Sequence, residues 1–358
     1  MLRLSTSSRK PFLVLLLAIA AASTLFLGSS PSATGAALGT SAGRESRPGE
    51  LRSAPDGANP CASMPCMYIA NTGANSILEF PTNANGDVAP TRTVRGPNTE
   101  LTSPAGIAVD VHRRIYVANP GVHPRVGVTV YASGAQGDAR PIQIINGRST
   151  KLQGPVGVGL DAQGDIFVAN FHRFPNGSVC VFAAGSNGNV APLRRIFGSR
   201  TGLHLPVAIA VDGSGNSFIA NVAGGPSSTG GITVYAAGAK GNVAPIQAIG
   251  GPSTGVDNPG AIAIDSSGDT YVANETSVTV FAPGASGNIA PIQTIQGSST
   301  LIGGPRGIAL DASRNIYVVN GNSSILVFAS GASGNVTPIQ QIAGPNTSLG
   351  APTGIAIY

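Results

Sequence analysis

The sequence has no tryptophan and little charge. Aromatic residues make up 5% and charged residues 10% of its 358 positions. Helices with a solvated charged face need more charge than this, so long amphipathic helices are not expected. In their place the chain carries 49 glycines, 27 prolines and 42% apolar residues. Short apolar segments separated by turns are typical of an all-β protein, which is the fold class that the composition predicts.

The sequence also lacks a cluster of lysine and arginine residues outside its first ten positions. The formal net charge is +5, but Arg3, Arg9 and Lys10 all lie within the first ten residues. Without those three, the chain has 18 basic residues against 16 acidic ones, with no run of either sign. Proteins that bind nucleic acid neutralise its phosphates with clustered lysine and arginine. We therefore expect no nucleic-acid partner.

Residues 1–36 have the order of a secretory signal. Basic residues up to Lys10 are followed by an apolar run from Phe12 to Leu27 and then by small residues. The run is slightly long for a cleaved signal peptide and slightly short for a membrane span, so this segment is predicted to be either a signal peptide or an N-terminal membrane anchor. In both cases the protein is expected to be secreted or extracytoplasmic. Residues 37–66, rich in Gly, Ser, Ala and Pro, are predicted to be a flexible linker.

The three cysteines fit an exported protein. Cys61 and Cys66 flank the start of the repeats described below, and they can form a small disulfide loop. Cys180 lies in the strand-like run SVCVF and is expected to be a buried thiol. Neither a CxxC pair nor a cluster of histidines accompanies them, so neither a zinc site nor any other cofactor is predicted.

Internal repetition is the strongest signal in the chain. A short apolar run of the type YVAN occurs six times, with successive copies 46 to 53 residues apart. A unit near 50 residues is typical of a β-propeller blade. The six copies end at Asn71, Asn119, Asn170, Asn221, Asn274 and Asn320.

Each repeat divides into four strand-like runs, which in the second repeat are GIAVD, IYVAN, VTVYA and PIQII. The repeats begin with a run of the second type at Met67 and end with an isolated run of the first type, GIAIY, at Gly354 to Tyr358. Six complete blades result only if this C-terminal run joins the N-terminal blade, which also removes exposed sheet edges. Residues 67–358 are therefore predicted to be a monomeric six-bladed β-propeller of four-stranded blades, closed by the C-terminal strand.

The succession GIAVD, a short glycine-containing turn, IYVAN and VTVYA resembles the NHL repeat, whose usual form has Asp where this chain has Asn. The similarity extends over all six repeats and is shared loosely with gluconolactonase-like and streptogramin lyase-like propellers. The resemblance implies a six-bladed propeller, and it does not choose between binding and enzymatic members.

Two polar residues recur in every repeat and are expected to form rings on one face of the propeller. One ring consists of the six asparagines named above. Such rings can be a polar collar for a carbohydrate or a peptide, or they can cap the turns of each blade. We favour turn capping, because a residue repeated in every blade is what blade geometry requires. The second ring consists of Thr99, Thr150, Thr201, Thr254, Thr300 and Thr347.

The irregular positions are the candidates for a binding site. The residue after the proline of each inter-repeat connection enters the innermost strand near the channel mouth, and Arg306 is the one charged residue at these six positions. Three neighbouring loops, at 119–127, 170–177 and 221–231, are expanded. Two of them carry arginine, histidine or phenylalanine, and aromatic and arginine side chains are the usual anchors of interfaces. The candidate binding residues are Arg306, His123, Arg125, Phe171, His172, Arg173 and Phe174.

An enzymatic alternative follows from the resemblance. Gluconolactonase-like enzymes hold a divalent metal at the positions after the proline with carboxylate and amide side chains, and this chain has no carboxylate there. A lyase-like site needs histidines in the channel, and no partnered acid is evident for His112, His123, His172 or His204. We therefore predict an exported, non-catalytic propeller that presents loops for binding a protein or a carbohydrate. A lactonase-like or lyase-like enzyme with its site at the channel mouth is the alternative.

Overall fold

The computed structural model describes Cys61 and residues 63–121, 126–171, 177–222 and 230–358. In these residues the fold is all-β, with 24 strands arranged in six four-stranded antiparallel sheets. The sheets are the blades of a six-bladed β-propeller, which confirms the predicted fold class. Within the same part of the chain, no helix combines the length and the apolar character that crossing a membrane requires.

Each blade runs from an inner strand beside the channel to an outer edge strand, and the strands are numbered in chain order. Blade 1 contains β24 (Pro352–Ile357), β1 (Cys66–Asn71), β2 (Ser76–Pro81) and β3 (Arg92–Val94). Blade 2 contains β4 (Ile107–Val109), β5 (Ile115–Asn119), β6 (Gly127–Tyr131) and β7 (Gln143–Asn146). Blade 3 contains β8 (Pro155–Leu160), β9 (Ile166–Asn170), β10 (Ser178–Phe182) and β11 (Arg194–Ile196).

The remaining three blades repeat this order. Blade 4 contains β12 (Pro206–Val211), β13 (Ser217–Asn221), β14 (Gly231–Tyr235) and β15 (Gln247–Ile249). Blade 5 contains β16 (Ala261–Ile264), β17 (Thr270–Ala273), β18 (Ser277–Phe281) and β19 (Gln293–Gln296). Blade 6 contains β20 (Gly307–Leu310), β21 (Ile316–Asn320), β22 (Ser324–Phe328) and β23 (Gln340–Ile342). Short 3-10 helices lie at Thr72–Ala74, Pro97–Thr99, Arg148–Thr150, Ser298–Thr300 and Pro345–Thr347.

The second and third strands form the buried middle of each blade. In blade 2, β5 and β6 are buried along their whole length. Both faces of a blade pack against neighbouring blades, so apolar residues stand at consecutive rather than alternate positions of these strands. The outer strands are only three or four residues long, which limits the edge that the propeller presents to other chains.

The hydrophobic core of the described residues is divided into six clusters, one between each pair of adjacent blades. The cluster that spans the ends of the chain contains Met67 and Phe80 from blade 1 together with Tyr317 and Val327 from blade 6. Full burial of one such large apolar side chain contributes about 1.5–3 kcal/mol. The ring is therefore held by similar packing at every interface, including the one between the first and last blades.

Closure of the ring occurs as the sequence predicts. β24 pairs antiparallel with β1, which places Met67 opposite Ile357. The other inner strands are followed by an aspartate, whereas β24 is followed by Tyr358. The Tyr358 hydroxyl donates a hydrogen bond to Val111 O at 2.6 Å, and the guanidinium carbon of Arg113 lies 5.2 Å from the centre of the Tyr358 ring. The last residue of the chain therefore also ties blade 1 to blade 2.

A disulfide between Cys61 and Cys66 lies at the same seam. The Arg113 side chain donates a hydrogen bond to Cys61 O, and the backbones of Cys66 and Tyr358 exchange two hydrogen bonds of 2.8 and 3.0 Å. The disulfide thus holds the segment before β1 against the end of the chain. Cys180 is a buried free thiol, and burial raises its pKa to about 11.

A belt of hydrogen bonds links the outer edges of adjacent blades. The connection before each outer strand forms a parallel bridge to the outer strand of the preceding blade, as Gly137 does with Val94. The next residue caps a turn of that preceding blade, and in blade 2 Asp138 Oδ1 accepts a hydrogen bond from Asn98 N at 2.8 Å. Gly96 begins this turn with φ of 148°, and a Cβ atom there would lie 2.2 Å from Asp138 Oδ1, so glycine is required. The capping residues are Asp87, Asp138, Asn189, Asn242, Asn288 and Asn335.

Candidate functional site at the channel mouth

Two kinds of connection meet on one face of the propeller. The connection that enters each inner strand is bonded to the asparagine at the end of the second strand, where the turn to the third strand begins. In blade 2, Asn119 Oδ1 accepts a hydrogen bond from Thr102 N at 3.1 Å. In blade 1, Asn71 Oδ1 accepts one from Gly350 N at 2.7 Å. We call this face the mouth face, because it surrounds the entrance to the channel between the inner strands.

The six asparagines are buried and bonded within the protein. Besides its bond to Thr102 N, Asn119 donates from Nδ2 to Thr129 Oγ1 at 2.9 Å. In blades 2 to 6 the backbone N–H that the asparagine accepts from lies 17 residues earlier in the chain. Each side chain thus bonds in two directions: Oδ1 accepts from the preceding connection, whereas Nδ2 bonds within the asparagine's own hairpin, as Asn274 Nδ2 does with Ser277 Oγ at 3.3 Å. The prediction that each asparagine caps its own turn is confirmed for Nδ2, and it does not account for the bond of Oδ1. The asparagines do not form an exposed collar.

The six threonines are buried as well. Thr99 Oγ1 donates to Gly96 O at 2.8 Å and accepts a hydrogen bond from Leu101 N at 3.3 Å. The other five threonines make the same pair of bonds. Each threonine caps its own turn, which confirms the capping interpretation for this ring.

Replacing Asn119 by leucine tests the structural role of the asparagine ring. Asn119→Leu keeps the branched shape of the side chain but removes the hydrogen bonds to Thr102 N and Thr129 Oγ1. We expect the free energy of unfolding to fall by about 2 kcal/mol, measured by chemical denaturation. Asn98→Leu is the matched control, because Asn98 is exposed and water can replace its bonds, and we expect it to cost less than about 0.5 kcal/mol. Equal losses in the two variants would contradict this role.

The inner strands approach one another closely just inside the mouth. A Cβ atom at Gly106 would lie 2.5 Å from Val156 O, and one at Gly354 would lie 2.4 Å from Ala105 O. Glycine at these positions allows the backbones of adjacent blades to come together. The residues that follow the prolines are consequently neighbours in a narrow ring, which consists of Ala105, Val156, Val207, Gly260, Arg306 and Thr353.

The mouth is polar on one side and apolar on the other. In blades 5, 6 and 1 the ring carries Arg306 and Thr353, and the residues after the second-strand asparagines are Glu275, Gly321 and Thr72. In blades 2, 3 and 4 the same two sets of positions have only apolar side chains. This apolar side consists of Ala105, Pro120, Val156, Phe171, Val207 and Val222. The repeat does not require a polar and an apolar side, since the strands next to these positions are alike in all six blades.

The two threonine hydroxyl groups on the polar side form hydrogen bonds between blades 1 and 2. Thr353 Oγ1 lies 2.8 Å from Thr72 Oγ1 and 3.0 Å from Ala105 O. Thr72 Oγ1 in turn donates to Pro104 O at 2.6 Å. These bonds join blade 1 to blade 2, so the two threonines are part of the seam.

Arg306 differs from every other member of the ring. Its guanidinium lies against Gly321, where a Cβ atom would be 3.4 Å from Nη2. Its Nε is sealed from solvent and has no hydrogen-bond partner, and the side chain makes no ion pair with a described residue. Burial lowers the pKa of Arg306 below its usual value. Covering a cation that has no counter-charge among the described residues costs free energy, so the described surroundings of Arg306 do not stabilise its charge.

Of the candidate loop residues, Phe171 lies within the described part of the chain. It is partly exposed, and its backbone N–H donates to Gly154 O at 2.8 Å on the mouth face. The other candidates in the loops, His123, Arg125, His172, Arg173 and Phe174, lie outside the described residues.

The described residues of the mouth do not bring together an acid–base pair or a set of metal ligands. His204 is exposed on the mouth face, and His112 is exposed in a turn of the opposite face, where its N–H donates to Asp110. In the described part of the chain, one group of side chains has ligand atoms close enough for a metal ion, namely Cys61, Cys66 and Glu79. Its two sulfur atoms are joined in the disulfide at the seam.

The comparisons with known proteins bear on the fold. No protein-family model matches the sequence, and no curated protein sequence is similar to it. A protein of unknown function from Bacteroides caccae is similar in structure, with a TM-score of 0.56 and 12% sequence identity over 82% of this chain and 99% of that one. A protein from Lactobacillus plantarum has a TM-score of 0.50 and 16% identity over the same shares. At these identities the similarity establishes the shared fold.

Proposed function

We propose that this protein is an exported, non-catalytic propeller of the NHL-like type that binds a protein or a carbohydrate through its mouth face. The observation that carries the proposal is that the mouth has a polar side and an apolar side, which the repeat does not require. The polar residues repeated in every blade are buried in internal bonds, whereas the residues that differ between blades surround the channel entrance. Ligand sites in repeat proteins depend on such departures from the repeat.

The expanded loops begin on the apolar side of the mouth, where their described first residues, Pro120, Phe171 and Val222, are placed. They follow Asn119, Asn170 and Asn221 in three consecutive blades, beside Val156 and Val207 of the ring. Phenylalanine and arginine in these loops supply large contact areas and charge-assisted hydrogen bonds, as the anchors of interfaces do. We expect a partner that binds these loops to contact the apolar side of the mouth as well, because the loops start there.

The closed ring favours recognition over catalysis. Side-chain caps and backbone bridges fix each blade to its neighbour, as Asp138 does with Asn98. A scaffold of this kind fixes the strand ends from which the loops start, and a rigid frame reduces the entropy lost on binding. The described mouth residues supply contacts for a partner, and they do not bring together an acid–base pair or a set of metal ligands.

Partner capture with loop variants tests the proposal. The chain is immobilised and exposed to the extracellular proteins and glycans of the organism that produces it, and the bound species are identified by mass spectrometry. We expect the triple variant Phe171→Ala, Arg173→Ala, Phe174→Ala to retain at most about a tenth of the capture, because it removes two aromatic anchors and one arginine. The readout is the amount of each species bound at equal loading.

A matched triple variant on the outer edge is the control. Leu193, Lys240 and Ile246 are exposed far from the mouth, and their replacement by alanine removes two apolar side chains and one cation. We expect this variant to capture as much as the unaltered chain. Capture that is equal in both triple variants would overturn the proposal.

A further inference from the structure

We propose that Arg306 binds a carboxylate group of a peptide ligand, whose apolar side chains pack on the apolar side of the mouth. The inference rests on the proposed binding function and narrows it to peptides that carry an acidic group. Arg306 is the single cation in the ring of residues after the prolines, and no described residue supplies its counter-charge.

The exposed end of Arg306 is suited to an anion. Nε is sealed from solvent, whereas the two terminal nitrogens stay accessible and bond to no described residue. Glu275, which stands after the second strand of the adjacent blade, makes no ion pair with Arg306, although its backbone carbonyl accepts a hydrogen bond from Gly304 N at 2.9 Å. A planar guanidinium with free N–H groups binds a carboxylate through two parallel hydrogen bonds.

Gly321 makes room for this arrangement. The equivalent residues of the other blades have side chains, whereas at position 321 the guanidinium itself occupies the space next to the backbone. A Cβ atom there would lie 3.0 Å from Gly304 O and in van der Waals contact with Nη2 and Nε, so a side chain longer than alanine would compete with the guanidinium for this space. The combination of Arg306 and Gly321 occurs in blade 6 alone, so one anion subsite is expected in the ring.

The opposite side of the mouth favours a peptide over a saccharide. A sugar carries hydroxyl groups on most of its carbons, and these lose hydrogen bonds to water when they are covered by the partly exposed side chains of Phe171, Val207 or Val222. Apolar side chains of a peptide gain free energy on the same surface. A peptide with an acidic group beside apolar residues therefore matches both sides of the mouth.

The experiment compares acidic peptides with their amides. The full chain is tested against an array of synthetic decapeptides that combine Leu, Ile, Val and Phe with one Asp or Glu, a second array with Asn or Gln in place of the acid, and oligogalacturonates. We expect the unaltered chain to bind selected acidic peptides about ten- to a hundred-fold more tightly than the matched amides, as loss of a charge-assisted hydrogen bond predicts. In Arg306→Met this difference in affinity should disappear. In Arg306→Lys it should be partly retained, because lysine keeps the positive charge but cannot form the bidentate hydrogen bonds of a guanidinium.

Stability supplies an independent measurement. Arg306→Met keeps an apolar stem of similar length and removes a cation that no described residue neutralises, so its thermal midpoint is expected to be equal to or above that of the unaltered chain. A lowered midpoint would show that the guanidinium has a structural partner and would overturn the inference. So would an acid preference that persists in Arg306→Met, binding of oligogalacturonates alone, or no peptide binding. If partners captured by the unaltered chain are lost in the Phe171, Arg173 and Phe174 triple variant but not in Arg306→Met, the proposed function stands while this inference fails.

Discussion

A chain that ends at Ala351 is expected not to fold into a propeller. The missing residues form β24 and Tyr358, and without them β1 becomes an exposed edge and the core between blades 6 and 1 loses Ile355. Bonds from Thr353 and Tyr358 to blade 2 are lost as well. Together these contacts are comparable with the whole stability of a typical domain, about 5–15 kcal/mol. We expect the truncated chain to have no cooperative thermal transition by circular dichroism and to aggregate on size-exclusion chromatography.

Tyr358→Phe is the control for this truncation. It removes only the hydroxyl that donates to Val111 O and keeps the backbone bonds between residue 358 and Cys66. Because this bond is exposed, we expect a loss of less than about 1 kcal/mol. A truncated chain that melts at the temperature of the unaltered protein would show that closure by β24 is dispensable.

Gly354→Ala is expected to lower the free energy of unfolding by about 3 kcal/mol. The added Cβ would lie 2.4 Å from Ala105 O, which is a backbone atom of the adjacent blade. A side chain can turn away from such a contact, but here two inner strands have to move apart. Chemical denaturation of the variant measures the loss directly.

Gly213→Ala is the matched control, because a Cβ atom at this turn position meets nothing within 4 Å. Its φ is not in the left-handed region, so alanine is expected to leave the stability unchanged or to raise it by up to about 1 kcal/mol. If Gly354→Ala were no less stable than Gly213→Ala, the close approach of the inner strands would not be a constraint on the fold.

Closure shows how much of the fold the sequence predicts. The order of the runs requires six complete blades, and the structure pairs β24 with β1 in agreement with that count. The bonds of Asn119 were not predicted, because its partner Thr102 N lies in a connection whose path the strand pattern does not specify. The same holds for the cap that Asp138 places on Asn98, 40 residues away in the chain. Recurrence of Asp or Asn after the glycine of every outer connection was the available signal.

In the candidate site, too, some features were visible in the sequence and others only in the structure. The sequence by itself determined that Arg306 breaks the repeat and that the expanded loops follow the second strands of three consecutive blades, because differences from a repeat are visible without coordinates. Only the tertiary structure decided that the asparagines and threonines are buried and that Arg306, beside Gly321, has no counter-charge among the described residues. The physical reason is that burial and pairing depend on atoms from different blades, and the distance between those atoms is set when the ring closes.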